Sequence, residues 1–387
     1  MIKICVITGS RSEYGLLFPT LKKLVNDRQF KIYICVTGMH LSPEFGLTYK
    51  EIQNDGFKID AKIESLLSSD TSVGISKSLG LGVIGFAEVY QKLKPDAIFI
   101  LGDRYEIYAA AIAAMISRVP IIHCHGGELT EGCIDDAIRH SITKMSHLHF
   151  VSTFNYKKRV IQLGEDPKLV YNVGAFGIEN INNLNLLKKN ELENIINFKL
   201  DRNYFLVTFH PTTLEFKTSQ NQFNELLKAL KKFDDYIIVF TKPNADTDGR
   251  VIIKMIDDFV CFNKTRAISF TNLGQLNYLS ALRHCKIVIG NSSSGIIESP
   301  TFKKVSINIG NRQKGRVMAE STINCNPNEI DIYNSIKKAL SNNFQKKISK
   351  ISNPYGSKNS SEKVLKILKK INFKKLLNKK FNNINYE

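Results

Sequence analysis

Four apolar runs early in the chain, each ending in glycine and polar residues, constrain the fold more than any other feature. They are KICVITGS (3–10), KIYICVTG (31–38), DAIFILGD (96–103) and VPIIHCHGG (119–127). Rich in β-branched residues and without polar alternation, they read as strands buried on both faces, as in a parallel sheet. Segments with helical periodicity, 15–27, 74–93, 105–117 and 134–145, lie between and after them. Strand–helix alternation of this kind predicts an α/β, doubly wound sheet.

The pattern returns in the second half, at YFLVTFHP (204–211), YIIVFTKPN (236–244), AISFTN (267–272), CKIVIGNSS (285–293) and VSINIGNR (305–312). A chain of 387 residues exceeds one ordinary core, at about 100–200 residues per domain. The expectation is therefore two Rossmann-like domains facing a cleft. The first spans 1–175 and the second 176–371, closed by the amphipathic segment SSEKVLKILKKI (360–371), with a Lys/Asn-rich tail at 372–387.

Composition narrows the class. An apolar fraction of 43% and a charged fraction of 23% belong to soluble globular proteins. No uninterrupted apolar run approaches the ~18 residues of a membrane span, and MIKICVITGS reads as a first strand rather than a leader peptide. Seven scattered cysteines without a CxxC pair support neither a zinc ribbon nor a disulfide framework, which suits a reducing cytoplasm. The net charge of +18 is concentrated near the end, where residues 346–387 hold twelve lysines, no arginine and two acids. Nucleic-acid binding usually adds clustered arginine with interleaved aromatics; lacking that, the end reads as a solvated basic tail.

Ligands of open α/β sheets bind beyond the carboxyl ends of the strands, so the strand exits locate the site. In the first half they are Gly9-Ser10-Arg11-Ser12-Glu13, Gly38-Met39-His40, Gly102-Asp103-Arg104 and His123-Cys124-His125-Gly126-Gly127-Glu128. Each carries an ionisable group beside a glycine, where backbone can approach a ligand closely. The second half offers His210-Pro211, Lys242-Pro243-Asn244, GNSSSGIIES (290–299) and GNRQKGR (310–316). Serines opening a helix after a strand present hydroxyls and backbone N–H groups to an anion, most naturally phosphate. Neither a phosphate-binding P-loop nor a dinucleotide-binding glycine motif occurs.

The densest polar stretch is HCHGGELTEGCIDDAIRH (123–140). If the strand continues through it, His123 and His125 share one face, a spacing compatible with zinc. Intervening Gly126-Gly127 and the helix-opening Asp135-Asp136, whose carboxylates suit the helix dipole, favour an acid/base site over a metal site. His147 and His149 read as partners of backbone or core rather than ligands.

Six ordered motifs then carry a family likeness: TGSRSEYG, GDRYE, the stretch from His123 to Phe150, FHP, IGNSSSGIIESP and INIGNRQKGR. The chain resembles hydrolysing UDP-N-acetylglucosamine 2-epimerases of bacterial sialic acid pathways, and equally the UDP-N,N'-diacetylbacillosamine 2-epimerases of legionaminic acid pathways, over about residues 1–370. The resemblance implies a glycosyltransferase-B type fold, with the sugar and the acid/base groups on the first domain and UDP mainly on the second. It implies elimination of UDP across C1–C2 to a 2-acetamidoglycal, then hydration to the free manno sugar, with no metal and no cofactor. Candidate proton carriers by resemblance are Asp103, Glu128 and Asp135, with His125 near them. Arg11, Arg104, His210, Ser292, Ser293 and Arg312 would stabilise the departing diphosphate. Glu298 matches a ribose-binding position, Asn244 one near the nucleotide and His40 one in the sugar cleft, while Glu13 belongs to the first motif.

Two positions depart from the family pattern. The first motif reads Arg-Ser-Glu-Tyr where many members have Ala and often Asp, and position 125 is His where some relatives carry Glu, so the identity of the C2 base stays open among these groups. A UDP-sugar glycosyltransferase and a non-hydrolysing epimerase are the rival enzymes, and a nucleotide-sugar sensor the rival binding protein. A dimer or tetramer is the default assembly.

Overall fold

The computed structural model describes residues 1–67, 69, 71–131, 133–212, 218–243, 249–356 and 359–383. It divides into two compact units. The first is built on strands β1 (Ile2–Thr8), β2 (Phe30–Thr37), β3 (Ala61–Ile63), β4 (Ala97–Leu101), β5 (Ile121–Cys124), β6 (Leu148–Val151) and β7 (Val170–Asn172). They form one parallel sheet in the order β3-β2-β1-β4-β5-β6-β7. Order reverses between β1 and β4, so their carboxyl ends diverge and leave a crevice there, the usual ligand position of such sheets. Helices α1 (Arg11–Val25), α2 (Tyr49–Asn54), α3 (Ser72–Leu93), α4 (Tyr105–Ile116) and α5 (Asp135–Met145) follow strands β1, β2, β3, β4 and β5.

The second unit repeats the logic with β8 (Tyr204–Thr208), β9 (Ile237–Thr241), β10 (Ala267–Phe270), β11 (Ile287–Gly290), β12 (Val305–Ile309) and β13 (Thr322–Cys325). These also run parallel, in the order β10-β9-β8-β11-β12-β13, with reversal between β8 and β11. The two doubly wound α/β units expected from the sequence are therefore present. Strands β3, β6, β7 and β13 were not among the expected ones. Each is only three or four residues long, and His149 inside β6 breaks the apolar signature although the whole strand is buried.

The chain divides differently from the expected 1–175 and 176–371. The first unit comprises Met1–Glu128, Asp135–Asn180 and the C-terminal segment, while Leu129–Ile134 and Ile181–Gly356 make the second. The closing helix, here Ser360–Leu368, packs on the first unit and not the second. Val364 and Leu368 join its core, as do Phe373 and Leu376 from the stretch expected to be a solvated tail. Ion pairs tie the segment to α1 and the turn after it, Lys23 to Glu362 at 3.0 Å and Lys369 to Asp27 at 2.5 Å. Backbone and hydroxyl of Ser361 both donate to buried Glu179, at 2.6 and 2.5 Å. Amphipathic periodicity identifies an apolar face but not which core that face will meet.

Candidate active site

On the first unit the site begins at the exit of β1. Ser10 caps α1, its hydroxyl accepting from the Glu13 N–H at 3.4 Å. The cap turns the Glu13 side chain back to accept from the Gly9 N–H at 2.7 Å. Glu13 is buried against a second buried carboxylate, Glu106 of α4. Burial first, and the charge of Glu106 second, push the Glu13 carboxyl up to about 8. Glu106 is held by Arg104 at 3.2 Å, so a single guanidinium serves this pair of acids. Gly38 makes the arrangement possible. It sits at φ +57°, and a Cβ there would stand 2.8 Å from the Glu106 Oε1.

Two neighbours of this pair are already engaged. Arg11 pairs with Glu51 of α2 at 2.7 Å. His40 is fully buried, with Nε2 3.0 Å from the Thr8 hydroxyl and Nδ1 2.8 Å from the Thr48 hydroxyl. Burial lowers its pKa to about 4, leaving a neutral ring that ties β1 to the loop before α2.

The second cluster forms where β4 and β5 end. Arg139 of α5 is 1% exposed, which obliges its charge to find partners. It donates to the Asp103 carboxylate, to Asp136 at 3.2 Å and to the Glu128 carbonyl at 2.9 Å. Asp136 also lies 3.5 Å from His140. Asp135 is half-buried at the first position of α5. Glu128 is buried, its Oε1 accepting from the Ser152 hydroxyl at 2.8 Å and facing the Nδ1 of His125 at 3.2 Å. The Phe176 N–H donates to Nε2 of the same imidazole at 3.3 Å. That contact fixes the proton on Nδ1, directed at Glu128.

His123 and His125 do not share a face, contrary to the expectation of a continuing strand. β5 ends at Cys124, and His125 takes a left-handed conformation at φ +65°. His123 turns inward, with Nε2 2.8 Å from the Gly102 carbonyl and Nδ1 3.3 Å from the Thr143 hydroxyl, and burial lowers its pKa to about 3. Gly127 then packs so tightly that a Cβ would lie 2.6 Å from the Tyr156 carbonyl. The sharp turn this permits brings Glu128 back beneath His125. His147 partners backbone and His149 the core, as expected. His147 accepts from the Ile121 N–H at 3.2 Å, and His149 lies 3.0 Å from Glu165.

The second unit presents different chemistry. Asn291 receives the His210 N–H at 2.7 Å and donates to the His210 carbonyl at 2.8 Å, clamping the exit of β8 to that of β11. Its own carbonyl accepts from Arg312 at 3.1 Å and Gln313 at 2.8 Å. Thus His210, Arg312 and the serines stand on one short frame. The three serines do separate jobs. Ser292 caps the short helix Ser293–Ile297, Ser293 opens it, and the Ser294 hydroxyl donates to Glu298 while accepting from Tyr278 at 2.7 Å. Burial pushes the Glu298 carboxyl up. Asn244 lies outside the described residues.

Sequence reasoning missed Glu106, Arg139, Ser152 and Asn291 as members of these clusters. Asp136 and Arg139 stand three apart, a helical ion-pair spacing that was a usable signal. Glu106 closes the GDRYE motif but reads as an ordinary first-turn acid. Nothing local distinguishes Ser152 or Asn291. Among the described residues, no three His, Cys, Asp or Glu side chains stand close enough to hold a metal ion.

Comparison with known proteins adds to this geometry. A family model described as UDP-N-acetylglucosamine 2-epimerase matches residues 22–369. A Campylobacter jejuni protein named GDP/UDP-N,N'-diacetylbacillosamine 2-epimerase (hydrolyzing) is 43% identical over 380 residues, covering 98% of both chains. The Escherichia coli polysialic acid biosynthesis protein P7 is 39% identical over 370 residues, covering 95% of this chain and 94% of its own. In fold, the chain is similar to a UDP-GlcNAc 2-epimerase of Neisseria meningitidis solved with UDP-GlcNAc, with a TM-score of 0.80 at 18% identity over 96% of this chain and 100% of that one.

Proposed function

Because the chain belongs to the family of UDP-N-acetylglucosamine 2-epimerases, we propose that it is a hydrolysing 2-epimerase of UDP-N,N'-diacetylbacillosamine. The observation that carries the substrate is the 43% identity, over 98% of both lengths, to a relative named for that sugar. The reaction begins when a base removes the C2 proton. The C–H electron pair forms the C1=C2 bond, and the C1–O bond breaks with its pair leaving on the UDP phosphate. Water then adds its oxygen to C1, and a proton returns to C2 from the opposite face. UDP and the free manno-configured sugar leave, in the cytoplasm, for surface-sugar synthesis.

Inversion at C2 needs two proton carriers on opposite faces of the ring, and the first unit holds two carboxylates of different character. The Asp103 side chain is 22% exposed and oriented by Arg139, so it can reach a substrate. We assign it the C2 proton. Glu128, 3% exposed and backed by Ser152 and His125, is the second carrier, with His125 setting its orientation. Asp135 is a further carrier at the dipole-favoured start of α5. Arg11 and Arg104 are this unit's cations for developing negative charge, and on the second unit His210, Ser292, Ser293 and Arg312 would hold the diphosphate. Glu298 would accept from the ribose hydroxyls, and Asn244 would lie near the nucleotide. Glu13 and His40 support the sugar side from beneath.

A second substrate, UDP-N-acetylglucosamine, is favoured by the 31% identity over 342 residues to a Neisseria meningitidis protein named UDP-N-acetylglucosamine 2-epimerase. Side-by-side assays of nucleotide release decide between them. The first reading expects kcat/KM for the diacetamido sugar to exceed that for UDP-GlcNAc by about a hundredfold, the discrimination that pocket contacts to an added group supply. A reversed ratio moves the assignment to UDP-GlcNAc, and preference for the GDP-linked sugar corrects the nucleotide.

A further inference from the structure

The C-terminal stretch, expected as a solvated tail, folds back onto the first unit and closes a cavity of about 310 Å³ there. The wall facing the tail includes His147, directly before β6, and Leu169, directly before β7. The cavity therefore lies at the amino ends of the strands, whereas the Glu13, Asp103 and Glu128 clusters stand at the carboxyl ends. Specific contacts seat the tail. Phe373 and Leu376 enter the core, and the Asn382 N–H donates to the Gly164 carbonyl at 2.9 Å. Lys379 donates to the Ser146 carbonyl and to the Glu165 carboxylate, both at 2.7 Å.

The charges lining this cavity fall into two sets. Glu165 is buried, and its carboxylate is met by Lys379, by Lys144 at 2.8 Å and by His149 at 3.0 Å. That acid is already matched. Lys370, Lys375 and Lys380 also line the cavity, all exposed, and among the described residues they form no ion pair. Against their three ammonium groups stands one unmatched carboxylate, that of Asp166, which accepts from the Lys168 N–H at 2.9 Å. Gathering like charges around one space costs repulsion that a bound anion would remove. His147 adds a neutral donor. Its Nδ1 accepts from the Ile121 N–H, which leaves the ring proton on Nε2. Burial first, and Lys379 second, lower its pKa to about 4.

We propose that this cavity is a second ligand site, for a phosphomonoester of monosaccharide size. Lysine binds phosphate as a point charge, and three ammonium groups beside an imidazole N–H suit a dianion with several acceptor oxygens better than a single carboxylate. The volume stands near the lower end of the roughly 300–1,000 Å³ of small-molecule pockets, more than inorganic phosphate fills. Ile371 and Leu376 on the wall would meet the apolar face of a sugar ring, and Asn372 and Asn378 its hydroxyls. Nucleic acid calls for an extended groove with arginine and stacking aromatics, and among the described residues neither lines this cavity.

Isothermal titration calorimetry of the full chain with glucose 6-phosphate as the probe tests the site. A saturable one-to-one isotherm is expected, unchanged by saturating UDP. Lys375→Glu combined with Lys380→Glu should weaken binding by about tenfold or more, since two attractions become repulsions. Lys375→Ala alone should fall between that variant and wild type, with circular dichroism melts the same for all three. Absence of binding, binding that glucose or inorganic phosphate matches, displacement by UDP, or binding that the paired substitution leaves intact overturns the proposal. So does co-sedimentation with phosphatidic acid vesicles, lost in the paired variant, without any response to glucose 6-phosphate, which assigns the cavity to a lipid headgroup.

Discussion

The two units share a sheet topology and differ in what they place at the strand ends. The first buries ionisable groups there: Glu13 against Glu106, and Asp103 and Glu128 around Arg139 and His125. The second frames its exits with an amide, hydroxyls and backbone, through Asn291 and the serines. A sheet edge filled with buried charge can tune proton affinities by burial and neighbours. One framed by hydroxyls, an amide and the Arg312 guanidinium is suited to hold an anion. The proposed chemistry asks for that division of labour, proton transfer at one end of the substrate and diphosphate at the other.

The comparison breaks most severely at Arg139. Arg139→Leu leaves Asp103, Asp136 and the Glu128 carbonyl without their shared donor; breaking a fully buried pair costs about 3–5 kcal/mol, and partial exposure of the two carboxylates puts the loss below that, at about 2–3 kcal/mol. Urea unfolding should show a loss of that order, with activity abolished. No serine substitution on the second unit should approach it.

Asp103→Asn separates chemistry from stability. Loss of a positioned base lowers kcat by about 10²–10⁴-fold, while the amide still accepts a hydrogen bond from Arg139. Steady-state kinetics should show the fall in kcat with KM nearly unchanged.

Glu13→Gln sharpens the contrast through pH. The folded carboxyl titrates near 8, above its ordinary value, so between the unfolded and folded pKa values the native state binds more protons than the unfolded chain. Wild-type stability therefore falls as pH rises from about 5 to about 8 and then levels off. The glutamine variant should lack that fall, as urea midpoints at the two ends of the window would reveal. A variant that keeps the full slope would place its origin elsewhere.

The smallest effect is expected on the second unit. Ser292→Ala removes a helix cap, at about 1 kcal/mol, and a diphosphate donor. It should raise KM several-fold and leave the pH profile of kcat unchanged.

Much of this division was legible in the residues. Central strands such as β1, β4 and β11 declared themselves because burial on both faces demands uninterrupted apolar runs, and their exits then located the polar groups. Short edge strands could not, since three residues such as Ala61–Ile63 carry too little pattern. The left-handed turn at His125 was hidden because residues other than glycine seldom adopt it. For the same reason the apparent zinc spacing of His123 and His125 misled. The buried partner Glu106 became visible only once α4 was packed against its strand, whereas Arg139 was hinted at by its three-residue spacing from Asp136.

The central claim is proton exchange at C2 by the first unit, and proton NMR of the reaction in D₂O tests it most directly. With UDP-N,N'-diacetylbacillosamine as substrate, UDP and a free manno-configured sugar carrying deuterium at C2 are expected, with Asp103→Asn slowing the release of both by about 10²–10⁴-fold. Free sugar that retains its C2 proton and its original configuration would contradict it, because simple hydrolysis of the glycosyl phosphate needs none of the acid/base groups gathered at the ends of β4 and β5.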